Sequence, residues 1–279
     1  MEHRILTQEQ VAAFQAYLHR EEKSPATQEK YLRDIRFFRV FLQGGEVSKE
    51  QVLAYKAALQ DRGYAARSIN SMLASLNSLF SFLGWQDCRV RSLRLQQQIY
   101  CPEEKELTKA EYLRLLEAAR GNLRLQLVMQ TICSTGIRVS ELRHFTVEAV
   151  RQGEVTVRCK GKTRRILLPE KLKKRLLSYA AKKKLSSGAI FRSSNGSPLS
   201  RGCIWEQMKQ LCRRAGVEAA KVFPHNLRKL FARTFYGIEK DIAKLADILG
   251  HSSINTTRIY IVSTGREHRQ KIERLGLLI

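Results

Sequence analysis

The stretch from Phe223 to Tyr260, FPHNLRKLFARTFYGIEKDIAKLADILGHSSINTTRIY, constrains the chain more than any other. Pro224 sits where a helix can begin, which places His225 in a first turn and Arg228 three residues on, on the same face. The two side chains point at a common target. Farther on, Ile242, Leu245, Ala246 and Leu249 recur at helical spacing, and Leu249-Gly250-His251 closes the run. Nine residues later Tyr260 ends a short Thr-Thr-Arg-Ile-Tyr segment. Arginine presents a planar fork of donors that matches phosphate oxygens, histidine exchanges protons near neutral pH, and a phenol becomes a nucleophile once its proton is removed. The set suits phosphodiester chemistry. Singly, each residue also has an ordinary structural use: a hydrogen-bonded histidine, an arginine on a charged face, a half-buried tyrosine.

That chemistry needs a polyanionic partner. Lys and Arg number 50 against 26 Asp and Glu, a formal charge of +24 over 279 residues, and for a soluble chain this favours nucleic acid. Residues 1–95 hold 14 basic and 10 acidic side chains, whereas 96–279 hold 36 and 16, so the second part carries the stronger field. Charge alone also fits a merely basic, soluble protein. The length favours two domains, each large enough for its own core. The cysteines, Cys88, Cys101, Cys133, Cys159, Cys203 and Cys212, show neither a Cys-x-x-Cys pair nor a histidine at zinc spacing, and read as small apolar residues in a reducing compartment. No apolar signal core opens the chain and no run nears the ~18 apolar residues of a membrane span, so no membrane partner and a cytoplasmic, nucleoid-associated location are expected.

Residues 7–95 read as helices with marked starts. Thr7-x-x-Gln10 and Ser48-x-x-Gln51 fit the capping box, in which a hydroxyl and a side-chain carbonyl satisfy free backbone N–H groups. A first helix carries Val11, Phe14 and Leu18 on one face, and a second, after Ser24-Pro25, carries Tyr31, Ile35, Phe38 and Leu42. A third runs from Ser48 towards Arg62-Gly63 and a fourth from Ser68 to Leu83-Gly84, making a small helical bundle over 1–95. Lys23, Lys30, Arg62 and Arg67 on it suit a solvated surface and a phosphate-contacting one equally. From Arg94 to Thr108 the apolar period lapses around Pro102, and 96–106 reads as an interdomain linker, leaving 107–279 as a second domain with a C-terminal tail.

Thr108-x-x-Glu111 opens that second domain with a third capping box. Leu123–Cys133 is apolar enough to be buried and ends at Ser134-Thr135-Gly136. A short helical segment follows, with Arg138 and, one turn on, Glu141 on the same side; the pair fits an ordinary ion pair and equally a supported functional arginine. Residues 154–159 and 164–169 alternate at period 2 about Lys160-Gly161-Lys162-Thr163, a hairpin with a basic tip suited to a groove or to solvent. Residues 171–185 form a basic amphipathic helix, Gly188–Arg192 a short strand, and Ser200 an N-cap for a helix with Trp205, Met208 and Leu211. The tail, 264–279, is polar and basic but ends in Leu277, Leu278 and Ile279; it docks either into a neighbour's groove or onto its own domain. The expected fold is mainly α with a small antiparallel β-sheet.

Thr-Gly-Ile-Arg-x-x-Glu-Leu at 135–142, Lys-Gly-x-x-Arg at 160–164, His-Asn-Leu-Arg at 225–228 and LGHSSINTTRIY at 249–260 together resemble the signature of the tyrosine recombinases, or phage integrase family. The resemblance is weak over 7–95 and specific at these motifs; Lys229 departs from it, where many members have His. It implies an N-terminal helical core-binding (SAM-like) domain and a C-terminal tyrosine-recombinase catalytic domain. It implies a site-specific recombinase or integrase that cleaves and rejoins DNA through a 3′-phosphotyrosine intermediate. In that chemistry Arg138 and Arg228 hold the non-bridging oxygens, Glu141 orients Arg138, and His251 adds a hydrogen bond. His225 accepts the proton of Tyr260, the nucleophile, and Lys160, with Lys162 in reserve, protonates the leaving 5′ oxygen. Lys162, Arg164, Lys229 and Arg67 are the expected DNA contacts.

The phosphotyrosine conserves the energy of the broken bond, so no cofactor is expected. No metal is expected either, since Asp34, Asp61, Asp87, Asp241 and Asp247 are dispersed. The partners implied are double-stranded DNA with inverted-repeat core sites and further copies of the chain, a dimer per site and a tetramer in synapsis, with the tail as a means of exchange. Because the helical part starts almost at Met1, the shorter Xer-like or mobile-element form is expected, without an additional arm-binding domain. A type IB topoisomerase-like DNA relaxation and a non-catalytic DNA-binding protein share the charge and the helices. Plain relaxation without a partner site would mark the first, and indifference to Tyr260→Phe the second.

Overall fold

Caps and apolar faces position the helices of the first unit. In the computed structural model, which describes residues 4–95, 103–159, 162–262 and 265–275, Thr7 and Gln10 close a full capping box at the start of α1 (Gln8–Arg20). Ser24, with Pro25 at the first helical position, opens α2 (Pro25–Leu42), and the Ser48 hydroxyl accepts the Gln51 N–H to open α3 (Lys49–Asp61). The fourth helix, α4 (Ala66–Phe82), begins at Ala66 rather than Ser68, with no side-chain cap at Ala65. Burial decides it instead: Ile69, Leu73, Leu76, Leu79 and Phe80 are all buried, and each such side chain contributes about 1.5–3 kcal/mol. Phe14, Leu18, Ile35, Phe38 and Val52 complete this core. One charge lies within it. Asp34, only 3% exposed, is held by Lys30 Nζ at 2.8 Å and by the Ser75 hydroxyl at 2.8 Å, so the Lys30 ammonium is turned towards the bundle.

The chain divides into two compact units between Gln97 and Gln98. Of the linker expected at 96–106, residues 96–102 lie outside the described residues; Glu103–Lys105 form a 3-10 turn, and Glu106 and Leu107 are already buried in the second unit.

In the second unit a full Thr108–Glu111 capping box starts α5 (Lys109–Ala118). The buried helix α6 (Leu123–Thr135) ends at Gly136, and a 3-10 turn (Val139–His144) leads into α7 (Val147–Gln152). The hairpin follows, β1 (Glu154–Cys159) against β2 (Lys162–Leu167), antiparallel, with Cys159 opposite Lys162. The second strand thus starts at Lys162 rather than Arg164, which puts Lys162 and Thr163 in the ladder instead of at the tip. Residues 188–192 are not a strand; two isolated bridges, Thr146 to Ala189 and Arg192 to Pro198, hold that loop. After α8 (Glu170–Lys182) and α9 (Arg201–Ala215, capped by Ser200) come α10 (Pro224–Glu239), α11 (Ile242–Leu249) and α12 (Ile254–Ile261). The tail, read as polar and basic with no element assigned to it, contains a further helix, α13 (Gly265–Glu273); its last residues, 276–279, lie outside the described residues. Helix α10 packs on α6, α11 and α12, and a separate small core of Ala232, Leu245, Leu249 and Tyr260 joins them. Among the described residues no helix is long and apolar enough to cross a membrane.

Candidate active site

Three helix ends converge beside α10. Gly136 ends α6 at φ 64, and a Cβ there would lie 2.3 Å from Phe231 Cδ1, so the position requires glycine on both counts. Its carbonyl accepts from Arg228 Nη1 at 2.6 Å. Arg228 is 1% exposed, and its other terminal nitrogen reaches the Leu249 carbonyl at 2.7 Å. Burial, and then the neighbouring charge of Arg138, lower its pKa to about 10, which leaves it charged at neutral pH. Its Nε has no hydrogen-bond partner among the described residues.

The end of α11 is tied down by arginines. The carbonyls of the successive residues Ile248, Leu249 and Gly250 accept from Arg164 Nη1, Arg228 Nη2 and Arg138 Nη2 respectively. Cations at the negative end of a helix are favoured, and here they also satisfy carbonyls that the helix itself leaves open. His251 leaves this turn with Nε2 3.0 Å from Arg228 Nη2 and Nδ1 2.9 Å from the Thr257 hydroxyl. Burial, then the charges of Arg228, Arg138 and Arg164, lower its pKa to about 4.

Tyr260 projects from α12 between the two histidines. Its ring centroid lies 5.1 Å from that of His225 and 4.9 Å from that of His251, and Arg228 Cζ lies 5.9 Å from its centre. The tyrosine is 8% exposed. His225 keeps an open side in the first turn of α10, yet packing around its ring and the charges of Lys229, Arg228 and Arg138 lower its pKa. Arg138 caps the 3-10 turn: its N–H donates to Glu141 Oε2 at 2.7 Å, and its Nη1 to Glu141 Oε1 at 3.2 Å. Arg138, Glu141, His225, Arg228, His251 and Tyr260 are therefore brought together.

The other expected residues fare differently. Lys160 lies outside the described residues, as does the side chain of Lys162. Arg67 is exposed on the first turn of α4. Arg164 is not an outward contact: it sits on the core face of β2 opposite Val157 and binds Glu141 and the Ile248 carbonyl. Lys229 is likewise engaged inside the domain, 3.3 Å from Glu106, because a carboxylate only 8% exposed requires a cation beside it.

Sequence spacing missed three participants. Thr257, fully buried three residues before Tyr260, lies on the face of α12 that carries the tyrosine, and that spacing was its only signal. Arg201 and Trp205, one turn apart on α9, line a cavity of about 460 Å³ together with Arg138, His225 and Arg228. Trp205 is 46% exposed, and Lys209 Nζ lies 5.4 Å from its ring centre, whereas the periodicity grouped it with the buried Met208. Convergent guanidinium groups, two imidazoles depressed towards their neutral forms and a phenol can bind a phosphodiester, accept a proton and supply a nucleophile. Among the described residues no group of three His, Cys, Asp or Glu side chains is placed to hold a metal ion.

Known proteins share this arrangement of elements. The phage integrase family model matches residues 105–266, and that of the phage integrase N-terminal SAM-like domain matches residues 11–87. Tyrosine recombinase XerA of Pyrococcus furiosus is 32% identical over 289 residues, covering 100% of this chain and 98% of its own. XerA of Thermococcus kodakarensis is 31% identical, covering 97% of this chain and 96% of its own. Among solved structures, a XerA recombinase covers 98% of this chain and 100% of its own with a TM-score of 0.56 at 24% identity. A lambda integrase dimer bound to a COC′ core site covers 94% and 97% with a TM-score of 0.76 at 20% identity. These two structures show the fold.

Proposed function

The chain belongs to the phage integrase family, and on that footing we propose that it is a site-specific DNA recombinase that cuts and rejoins strands through a 3′-phosphotyrosine bond at Tyr260. The observation that carries the assignment is the placement of the Tyr260 ring beside His225, His251 and Arg228 at once. Arg138, whose side chain is 36% exposed, and Arg228 take the non-bridging oxygens of the scissile phosphate. His225, neutral at physiological pH, accepts the phenolic proton as the tyrosine oxygen bonds to phosphorus. The P–O5′ bond breaks, and we assign Lys160 the proton that the departing oxygen takes up. In the reverse direction a 5′-hydroxyl attacks the phosphotyrosine and Tyr260 leaves with its proton restored. Each phosphodiester broken is replaced by another bond of similar energy, so the cycle needs no external energy source.

The substrate we propose is double-stranded DNA with inverted-repeat core sites, held by a dimer at each site and a tetramer in synapsis, as in the core-site and Holliday-junction complexes of lambda integrase. The +24 charge supports that partner and a cytoplasmic, DNA-associated location. The helical unit, 1–95, would add contacts such as Arg67. Helix α13, joined to its own domain by Arg233 and Glu267, is the segment we propose passes between neighbours in the assembly.

The test is incubation with nicked duplexes carrying candidate core sequences, which trap cleavage products. An adduct that survives denaturing electrophoresis, maps to Tyr260 and disappears in Tyr260→Phe while duplex binding persists is the expected result. An adduct that persists in that variant, or relaxation of supercoiled DNA with no partner site, would overturn the proposal.

A further inference from the structure

We propose that Arg164 is a positioning residue for strand cleavage: it neutralises Glu141 so that the charge of Arg138 stays available to the scissile phosphate, and it ties that pair to the turn bearing His251. The inference rests on the recombinase reading above. In β2 the side chains alternate, and Arg165 points outward, 71% exposed, while Ile166 points inward. Arg164, two residues before Ile166, shares that inward face: 13% of its side chain is exposed, and its opposite residue in the hairpin is the buried Val157. A guanidinium in such a place needs strong partners.

Its partners belong to the active site. One arm meets Glu141 Oε2 and the other the Ile248 carbonyl, while its Cδ passes so close to Gly250 that a Cβ there would lie 2.9 Å away. Glu141, with 5% of its side chain exposed, is thereby shared between two arginines. Two positive charges against one negative leave a net positive charge beside the cavity. Without Arg164 the carboxylate would pair with Arg138 alone, and a neutral pair attracts phosphate weakly. The Ile248 carbonyl would also lose its tie, one residue before the Leu249 carbonyl that holds Arg228.

This account makes a prediction that a packing role does not. Arg164→Ala should slow single-turnover cleavage of prebound nicked duplex by about 10²-fold, the scale of losing one preorganised donor, with duplex affinity and its salt dependence unchanged. Adding Glu141→Gln should then restore about tenfold of the rate, because removing the carboxylate releases Arg138. A double variant as slow as Arg164→Ala, or slower, overturns the inference. So does a normal chemical step combined with weaker binding and a salt slope reduced by about 0.9, which would make Arg164 a phosphate contact. If the alanine variant does not fold, Arg164→Gln, which keeps a donor for the Ile248 carbonyl, takes its place in the same cycle, and recovery or its absence counts in the same way. The unsubstituted protein separates the two levels: absence of its Tyr260 adduct sinks the recombinase reading, whereas an adduct with no recovery in the cycle sinks only the role of Arg164.

Discussion

Arg228 Nη2 donates to His251 Nε2 across 3.0 Å. Arginine has no acceptor, so this ring nitrogen must carry a lone pair, and the proton resides on Nδ1, facing the Thr257 hydroxyl at 2.9 Å. His251 is thus neutral in the free protein, in line with its depressed pKa. A phosphate oxygen that takes over the Arg228 donor would release Nε2 and favour its protonation.

Stability should therefore depend on pH through His251. Its folded pKa, about 4, lies below the ordinary 6.5, so between these values the unfolded chain binds more protons than the folded one. The contribution of the neutral ring is present above pH 6.5 and is lost as pH falls towards 4. His225 is shifted in the same direction and adds to it. Denaturant melts from pH 7.5 down to 4 should show stability falling, and His251→Gln should flatten the slope. An equal slope in that variant would show that the folded state does not hold His251 neutral in this range.

Thr257→Val should separate the hydroxyl from the shape it fills. Thr257 is fully buried, and removing its acceptor leaves the His251 Nδ1–H unsatisfied, at a cost of about 1–3 kcal/mol. Thr257→Ser keeps the acceptor and should retain most of the stability and of the cleavage rate. Nitrogen NMR of the His251 ring checks the cause: Arg228 should hold the Nδ1–H form in both variants, and only the valine variant should lose the hydrogen-bonded shift of that N–H.

Gly136→Ala should strike both fold and site. The added carbon would overlap Phe231, and the left-handed backbone strains any other residue, so destabilisation of about 2–4 kcal/mol is expected. The Gly136 carbonyl is also the partner of Arg228 Nη1, so any molecules that fold should bind duplex yet cleave it slowly. A variant melting within experimental error of the parent would show that the turn adapts and that the contact is soft.

Helix starts and faces were legible in the sequence because caps and periodicity act within a few residues. Thr7, Ser24, Ser48 and Thr108 mark starts that the backbone confirms, and the spacing of Pro224, His225 and Arg228 follows from one helical turn. Partners across elements were not legible. Arg164 and Lys229 look like surface cations in a basic chain, and only the arrival of Glu141 and Glu106 from elsewhere turns them inward. The start of α4 escaped because burial, rather than a cap, sets it, and α13 escaped because its polar run lacks an apolar stripe. Thr257 is similar: a helix face is readable, but the histidine that meets it comes from another turn.

The tail offers the last prediction. Arg233 on α10 bridges two acids, Glu106 at the start of the second unit and Glu267 on α13, and Lys229 shares the first of them. The environments differ, with Glu106 8% and Glu267 44% exposed. Solvent screening makes an exposed pair worth at most about 1 kcal/mol, whereas losing the buried Glu106 carboxylate strips Lys229 of its partner and leaves Arg233 with the more exposed Glu267 alone, at a cost of about 3 kcal/mol. Glu106→Gln should therefore lower the melting temperature several-fold more than Glu267→Gln, and only the smaller effect should fade in high salt. Equal effects would mean that α13 is as firmly seated as the body of the domain. In that case it could not be released to a neighbour at low cost, and the proposed tail exchange would lose its physical basis.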